Sequence, residues 1–415
     1  MPELHIQRVD EQLEITFGEH RSTVAWADIA SWTPEDVEKN AEAYGHTLFE
    51  QITQDMGLRD ALTAFPRHKR LVLVADQPEV SAIPWEYLRL PEASGGLLLA
   101  TRYNLVRGIP EGQRQEGVVL DGVLRIVAVP VSAVNERIPL NTEGEWKNLS
   151  ETVKERNKVV TLQRVRPPTL AKMRSALNGE CTTIVQFMGH SGIVDGKGVL
   201  IFEDELGRVK AITSAQFANT LDEQTLLVVL NSCYSATVQG IASGQDSAGA
   251  VSALGNIARL VVHEDIPYAL GMQFALPDNA ALAITNALYD ALLQGRSVEE
   301  AVRSMRASLE HKAMLQDTQW LMGVPVLYTS LQEPAPALKL ATGQPTLVPD
   351  PVHFARTFDL SALSTPQHFF GRDDDISRTL DESRARGYAS DSGDTARDGG
   401  CVATTRAGGR GDGVV

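Results

Sequence analysis

Two apolar runs of this 415-residue chain end at side chains able to do covalent chemistry: Val185-Gln-Phe-Met-Gly-His190-Ser-Gly192 and Leu227-Val-Val-Leu-Asn-Ser-Cys233. A thiol is a weak nucleophile until it loses its proton. An adjacent imidazole can take that proton or stabilise the thiolate, the arrangement that cysteine hydrolases use. Short apolar, β-branched runs without helical period predict buried strands of a parallel sheet, and in open α/β sheets chemistry collects beyond the strands' carboxyl ends. The 42 residues between His190 and Cys233 leave room for one crossover, with a helix at about 214–221, so both side chains are predicted to emerge at the same rim. Gly189 and Gly192 remove bulk around His190, and small Ser235 and Ala236 follow Cys233. Taken singly, a buried Cys or a strand-end His is an ordinary structural residue; the pair in this setting is what points to catalysis.

The elements that must position the pair alternate. Apolar runs at 71–75, 124–130, 159–165, 183–188, 225–231 and 268–272 predict strands. Helices are predicted between and after them, at 143–156, 168–177, 278–293 and 297–309. The last opens on Ser297-Val-Glu-Glu300, a capping box, and places Val298, Ala301, Val302, Met305 and Leu309 on one face. Such alternation predicts an α/β fold with a mainly parallel sheet covered on both faces by helices. Residues 1–33 alternate apolar and polar, and a helix start at Thr33-Pro34 follows, so residues 1–64 are predicted to be a β/helical adaptor region.

Several separated segments carry a resemblance. Phe187-Met-Gly-His-Ser-Gly192 and Val228-Val-Leu-Asn-Ser-Cys-Tyr234 resemble the catalytic core of the CHAT family, caspase-like cysteine peptidases related to separase and the metacaspases. Ile83-Pro-Trp-Glu-Tyr-Leu88, Gly96–Ala100 and Tyr103-Asn-Leu-Val-Arg107 resemble the segment that opens this domain. Pro267–Phe274, Asn279–Leu293 and Trp320-Leu-Met-Gly-Val-Pro325 resemble its closing part. The resemblance covers residues 65–330 and implies a caspase-like three-layer sandwich. It also implies a catalytic dyad of His190 and Cys233, and an oxyanion held by the Cys233 amide together with that of Ser191 or Gly192. Where the family often has Gly directly after the His, this chain has Ser191. The activity implied is that of a cysteine endopeptidase cleaving a partner protein, a regulated bacterial signalling or defence effector; the alternative is a catalytically silent interaction scaffold of a signalling NTPase.

A hairpin is predicted beside the His segment, with strands Val199–Phe202 and Arg208–Ile212. Its carboxylates Glu203, Asp204 and Glu205, with Asp195, could favour a basic residue before the cut, although turns collect Asp and Glu whatever they bind. Asp246, in Ser243-Gly-Gln-Asp-Ser-Ala-Gly249, is a further candidate on a Gly/Ser-rich loop that either covers the Cys or merely connects.

Composition sets the remaining bounds. A net charge of −15 argues against a nucleic-acid surface. The three cysteines are widely spaced and without a CxxC pair, so neither a disulfide framework nor a thiolate metal site is expected. No run approaches a membrane span and no leader pattern opens the chain, which leads to the expectation of a cytoplasmic protein. No cofactor or metal is assigned: G-x-x-x-x-G-K-[ST] is absent, and calcium, which some relatives of the family need, has loop carboxylates that could bind it but no EF-hand spacing. A protein or peptide substrate and a regulatory protein partner are the expected partners. A Pro-rich linker is expected over 331–367. Phe369-Phe-Gly-Arg372, with Ile376 and Leu380 beginning a helix, then resembles the start of a signalling NTPase domain, but the stretch from about 382 to 415, rich in Gly, Ser, Arg and Asp, predicts disorder rather than a nucleotide fold.

Overall fold

The computed structural model describes residues 3–349 apart from 33, 76, 121, 134–139, 178, 180, 195–196, 234–256, 275 and 314–318. The linker from 350 onward and the segment resembling an NTPase start, with Cys401, therefore lie outside the described residues.

Fourteen strands are described: β1 (Glu3–Val9), β2 (Gln12–Phe17), β3 (His20–Ala25), β4 (Arg70–Val74), β5 (Asn104–Gly108), β6 (Leu124–Pro130), β7 (Val160–Arg164), β8 (Thr182–Val194), β9 (Lys197–Glu203), β10 (Val209–Thr213), β11 (Thr225–Cys233), β12 (Tyr268–Met272), β13 (Pro325–Thr329) and β14 (Thr346–Leu347). The sheet runs β14-β7-β6-β8-β11-β12-β13-β5-β4-β1-β2-β3, with β9 and β10 attached through β8. Its central pairs β7–β6, β6–β8 and β8–β11 are parallel, whereas β12–β13 and the β1–β2–β3 meander are antiparallel. β1 joins β4 in parallel, so the opening meander continues the main sheet.

The principal helices are α1 (Ala41–Ile52), α2 (Met56–Ala64), α3 (Thr142–Glu155), α4 (Leu170–Leu177), α5 (Ser214–Ala218), α6 (257–263), α7 (Asp278–Leu293) and α8 (Val298–Ala313). They divide between two apolar cores. Leu149 and Val153 of α3, Ile284 and Leu288 of α7, and the α8 stripe pack with Ile184 and Met188 on one face of the sheet. Met173 of α4, Phe217 of α5 and Val261 of α6 pack with Val185 and Phe187 on the other. The architecture is thus the expected one: a mostly parallel central sheet flanked by helices on both faces. The capping box at α8 is present, with Ser297 N–H donating to Glu300 Oε2 at 3.1 Å and Glu300 N–H to Ser297 Oγ at 3.4 Å.

Most strands lie within one or two residues of their predicted ranges, but β8 differs by more. β8 does not stop at Met188 but runs on through His190 to Val194. The reason is a second partner: β9 takes up the backbone of Ser191–Val194 after β6 has ended. His190 therefore lies inside a strand rather than at its end.

Three of the separated sequence segments meet at one buried carboxylate, and a fourth is bonded to its neighbours. Arg107 of β5 donates to both oxygens of Glu86, from Nε at 2.8 Å and Nη2 at 2.5 Å, and also to the carbonyls of Ser81 and Ile83. Gln273, just after β12, donates to Glu86 Oε2 at 3.1 Å and to the Gly323 carbonyl. Tyr87 O–H donates to the Trp320 carbonyl at 2.5 Å, and its ring leaves no room for a Cβ at Gly323, which would stand 2.5 Å away. These segments build the scaffold around β5, β12 and β13.

At the β1 end, Glu3 accepts hydrogen bonds from Arg114 and lies 3.1 Å from His5 Nε2. Partial burial pushes the Glu3 carboxyl upward, but the bonds from His5 and Arg114 and their charges outweigh it and hold the pKa at about 2, below the ordinary 4.5. A carboxylate depressed on folding adds stability above the unfolded pKa and loses it as pH falls through the folded one. Urea-unfolding midpoints should therefore drop between about pH 4.5 and 2 more steeply in the wild type than in Glu3→Gln; identical acid limbs would refute this.

Candidate functional site

β8 and β11 are parallel neighbours whose register pairs Met188 with Asn231, Gly189 with Ser232 and His190 with Cys233. Adjacent strands lie about 4.8 Å apart and paired positions fall on the same face of the sheet. Positions 190 and 233 therefore stand side by side on the face covered by α3 and α7. His190 is buried, with 6% of its surface exposed. The side chain of Cys233 is outside what the structure describes, as are residues 234–256, Asp246 among them.

Why the sequence folds this way follows from alternation along β8. Val185 and Phe187 enter the α4–α6 core, whereas Ile184 and Met188 enter the other. Gly189 continues the Phe187 side, where a Cβ would stand 2.9 Å from the Phe187 ring and 3.2 Å from Val131 Cβ, so its small size has a packing cause. Gln186, Met188 and His190 share the opposite side.

The residues proposed for the oxyanion lie in the extension of β8. Ser191 pairs with Leu200 and Gly192 with Val199 of β9. β9 lies toward the β7 end of the sheet, where the Glu203 amide donates to the Pro168 carbonyl at 3.1 Å. Successive N–H groups of a strand point to opposite edges, so one of Ser191 and Gly192 directs its N–H away from β9, to the side on which β11 ends at Cys233.

The acidic candidates are not brought together. Glu203 is buried and Asp204 sits in the β9–β10 turn. Asp204 accepts from the amides of Leu206 and Arg208 and from Arg208 Nε, at 2.8, 2.9 and 2.9 Å. The Arg208 amide first, with its side chain and the Leu206 amide, holds the Asp204 carboxyl below its usual range against the opposing effect of burial. Glu205 is exposed in the same turn. Residue 195 is outside the described residues, between Val194 and Lys197, which pair at the opposite end of β9. The length of β9 puts about 20 Å between its two ends.

Polar residues without a place in the sequence reading line the same face of β8 and β11 in the positions before the pair. Asn231, two residues before Cys233, donates from Nδ2 to Glu145 Oε2 on α3 at 2.6 Å. Tyr289 on α7 donates its O–H to Gln186 Oε1 on β8 at 3.0 Å. Glu145, Leu149 and Val153 occupy one stripe of α3 and are all buried. A carboxylate in an otherwise apolar stripe, like an amide within an apolar strand, was the available signal.

Cys181 is a free, half-buried thiol near the start of β8. Among the described residues, Glu42, His46 and Glu92 form a group whose possible ligand atoms lie within 4.8 Å of one another, on α1 and a following 3-10 turn rather than on the strands of the pair. Among those residues, too, no helix is long and apolar enough to cross a membrane.

Two solved structures show a distant likeness. One is the Arg-specific cysteine proteinase gingipain R, 8% identical, with 76% of this chain and 70% of that one covered at a TM-score of 0.40. The other is a complex of the pro- and mature domains of RgpB from Porphyromonas gingivalis, 11% identical, with 77% and 73% covered at a TM-score of 0.35. No curated protein matches the chain significantly. The family model described as CHAT domain matches residues 42–346, nearly three quarters of the sequence and a span that holds Glu86, Glu145, His190, Asn231 and Cys233. The chain belongs to the CHAT domain family.

Proposed function

We propose that the protein is a cysteine endopeptidase with Cys233 as nucleophile and His190 as its base and ion-pair partner. The observation that carries this reading is the register that sets positions 190 and 233 side by side on neighbouring parallel strands, within the span matched by the CHAT family. The Cys233 thiolate attacks the scissile carbonyl and forms a C–S bond. Negative charge moves to the carbonyl oxygen, where the amide of Cys233 and that of Ser191 or Gly192 receive it. Collapse expels the amine with a proton from the His190 imidazolium and leaves a thioester, which water hydrolyses with His190 as base. The substrate is a protein, cleaved by a regulated effector of bacterial signalling or defence acting in the cytoplasm. We assign residues 65–330 to the body of the peptidase domain, 1–64 to an adaptor region whose strands extend the same sheet, 331–367 to a linker whose first part adds β14 to that sheet, and 368–415 to a segment that resembles an NTPase start.

A second reading, a silent interaction scaffold, is favoured by the burial of His190, since a general base must reach the proton it takes. Comparing the new protein N-termini in cells expressing the wild type and Cys233→Ala separates the two. Termini that depend on Cys233 are expected; the same set from both proteins would leave the scaffold standing.

A further inference from the structure

We infer that Glu145 and Asn231 are positioning residues that fix the end of β11, and with it Cys233, relative to His190. The inference rests on the cysteine-peptidase reading above. Both side chains are buried, at 6% and 5% exposure, and the 2.6 Å bond between them is short and charge-assisted. Stability alone does not account for such a pair. Two apolar side chains of similar volume would serve the core of α3 and β11 as well or better, since a buried carboxylate must first lose its water.

Its place in the fold does account for it. Asn231 and Cys233 are two residues apart on one strand, so they occupy the same face, and the side-chain bond grips the strand at its last inward-facing position before the nucleophile. Glu145 is itself held firmly. Asn141 caps α3 by accepting from Gly144 N–H at 3.0 Å, and Glu143 in the same first turn accepts from both Nη atoms of Arg164 on β7, at 2.8 and 2.5 Å. Further along, Asn148 and Asn286 exchange bonds of 2.6 and 2.9 Å, and Thr152 adds a bond of 2.6 Å to Asn286, tying α3 to α7. α7 in turn holds β8 through Tyr289 and Gln186. The two strands that carry the dyad are thus gripped from one side by two helices that are bonded to each other. An error of about 1 Å in the placement of a reacting group can cost on the order of a hundredfold in rate.

The test uses the full-length protein and a peptide substrate taken from a cleavage site mapped in cells. Glu145→Ala should lower kcat by about 10- to 100-fold with KM unchanged. Glu145→Gln, whose amide oxygen still accepts from Asn231, should stay within about threefold of the wild type, by the modest net worth of one exchanged hydrogen bond. Phe49→Leu, a core change in α1 that touches neither strand, controls for lost stability and should leave kcat unchanged. Wild-type kcat in Glu145→Ala would overturn the inference, as would a Gln variant as slow as the Ala variant, which would assign the effect to charge instead of placement. Iodoacetamide alkylation of Cys233 against pH, followed by mass spectrometry of its peptide, gives a readout that needs no turnover. A wild-type midpoint at the free-thiol value of about 8.5, together with no peptide cleavage, would sink the peptidase reading itself and the inference with it.

Discussion

His190→Ala is expected to slow peptide hydrolysis by two to four orders of magnitude, the range that a positioned acid–base group contributes. A free cysteine with a pKa near 8.5 is a thiolate to only a few per cent at pH 7. An imidazole next to it on the neighbouring strand both raises that fraction, by forming a thiolate–imidazolium pair, and supplies the proton that the leaving amine needs. Removing the ring takes away both effects. Because β8 keeps its pairing with β6, β11 and β9 through its backbone, the Ala variant should retain the fold, which circular dichroism can verify. Labelling by a peptide acyloxymethyl ketone should fall in step with hydrolysis, and its pH profile should move to that of an isolated thiol. Equal labelling by the wild type and His190→Ala at pH 7 would remove His190 from the chemistry.

The second large effect lies far from this chemistry. Arg107→Ala should destabilise the protein by about 3–5 kcal/mol, the usual consequence of removing one partner of a buried ion pair. Glu86, only 1% exposed, would keep a bond from Gln273 but lose both charged donors. Burial by itself pushes the Arg107 guanidinium pKa down, and Glu86 and Tyr328 together more than reverse this, so the arginine stays charged and its loss is the loss of a full countercharge. Replacing both members, Arg107→Met with Glu86→Leu, should recover much of the stability, because no charge is then left without its partner. Chemical denaturation measures each variant, and soluble yield serves where Arg107→Ala does not fold. A single variant as stable as wild type would show that the pair is not what closes this part of the sheet.

The fold was legible where apolar pattern and element coincide. The run at 268–272 is β12 as predicted, and the helix predicted at 278–293 is α7, because both are covered by neighbours on the faces their patterns demand. The extent of β8 was not legible. Whether a Gly-His-Ser-Gly stretch loops or stays extended depends on β9, whose pairing with it is a tertiary fact. Nor was the role of Glu86 visible. Trp85-Glu-Tyr87 stands out as a motif in the sequence, but only the approach of Arg107 and Gln273 from distant segments shows that its acid is a structural anchor. Asn231 and Glu145 fall in between. Each breaks an apolar pattern in its own element, but neither sequence segment names the other.

The continuity of β8 has a mechanical consequence. His190 is followed by no loop, and Ser191 pairs at once with Leu200, so the imidazole and the β9–β10 hairpin share one stiff rod while Cys233 ends a different one. A protein that seized the hairpin would act on a lever whose short arm carries His190. Tilting it would shift position 190 against position 233, and because the rod also carries Ile184 and Met188 into one core and Val185 and Phe187 into the other, both cores would resist the movement.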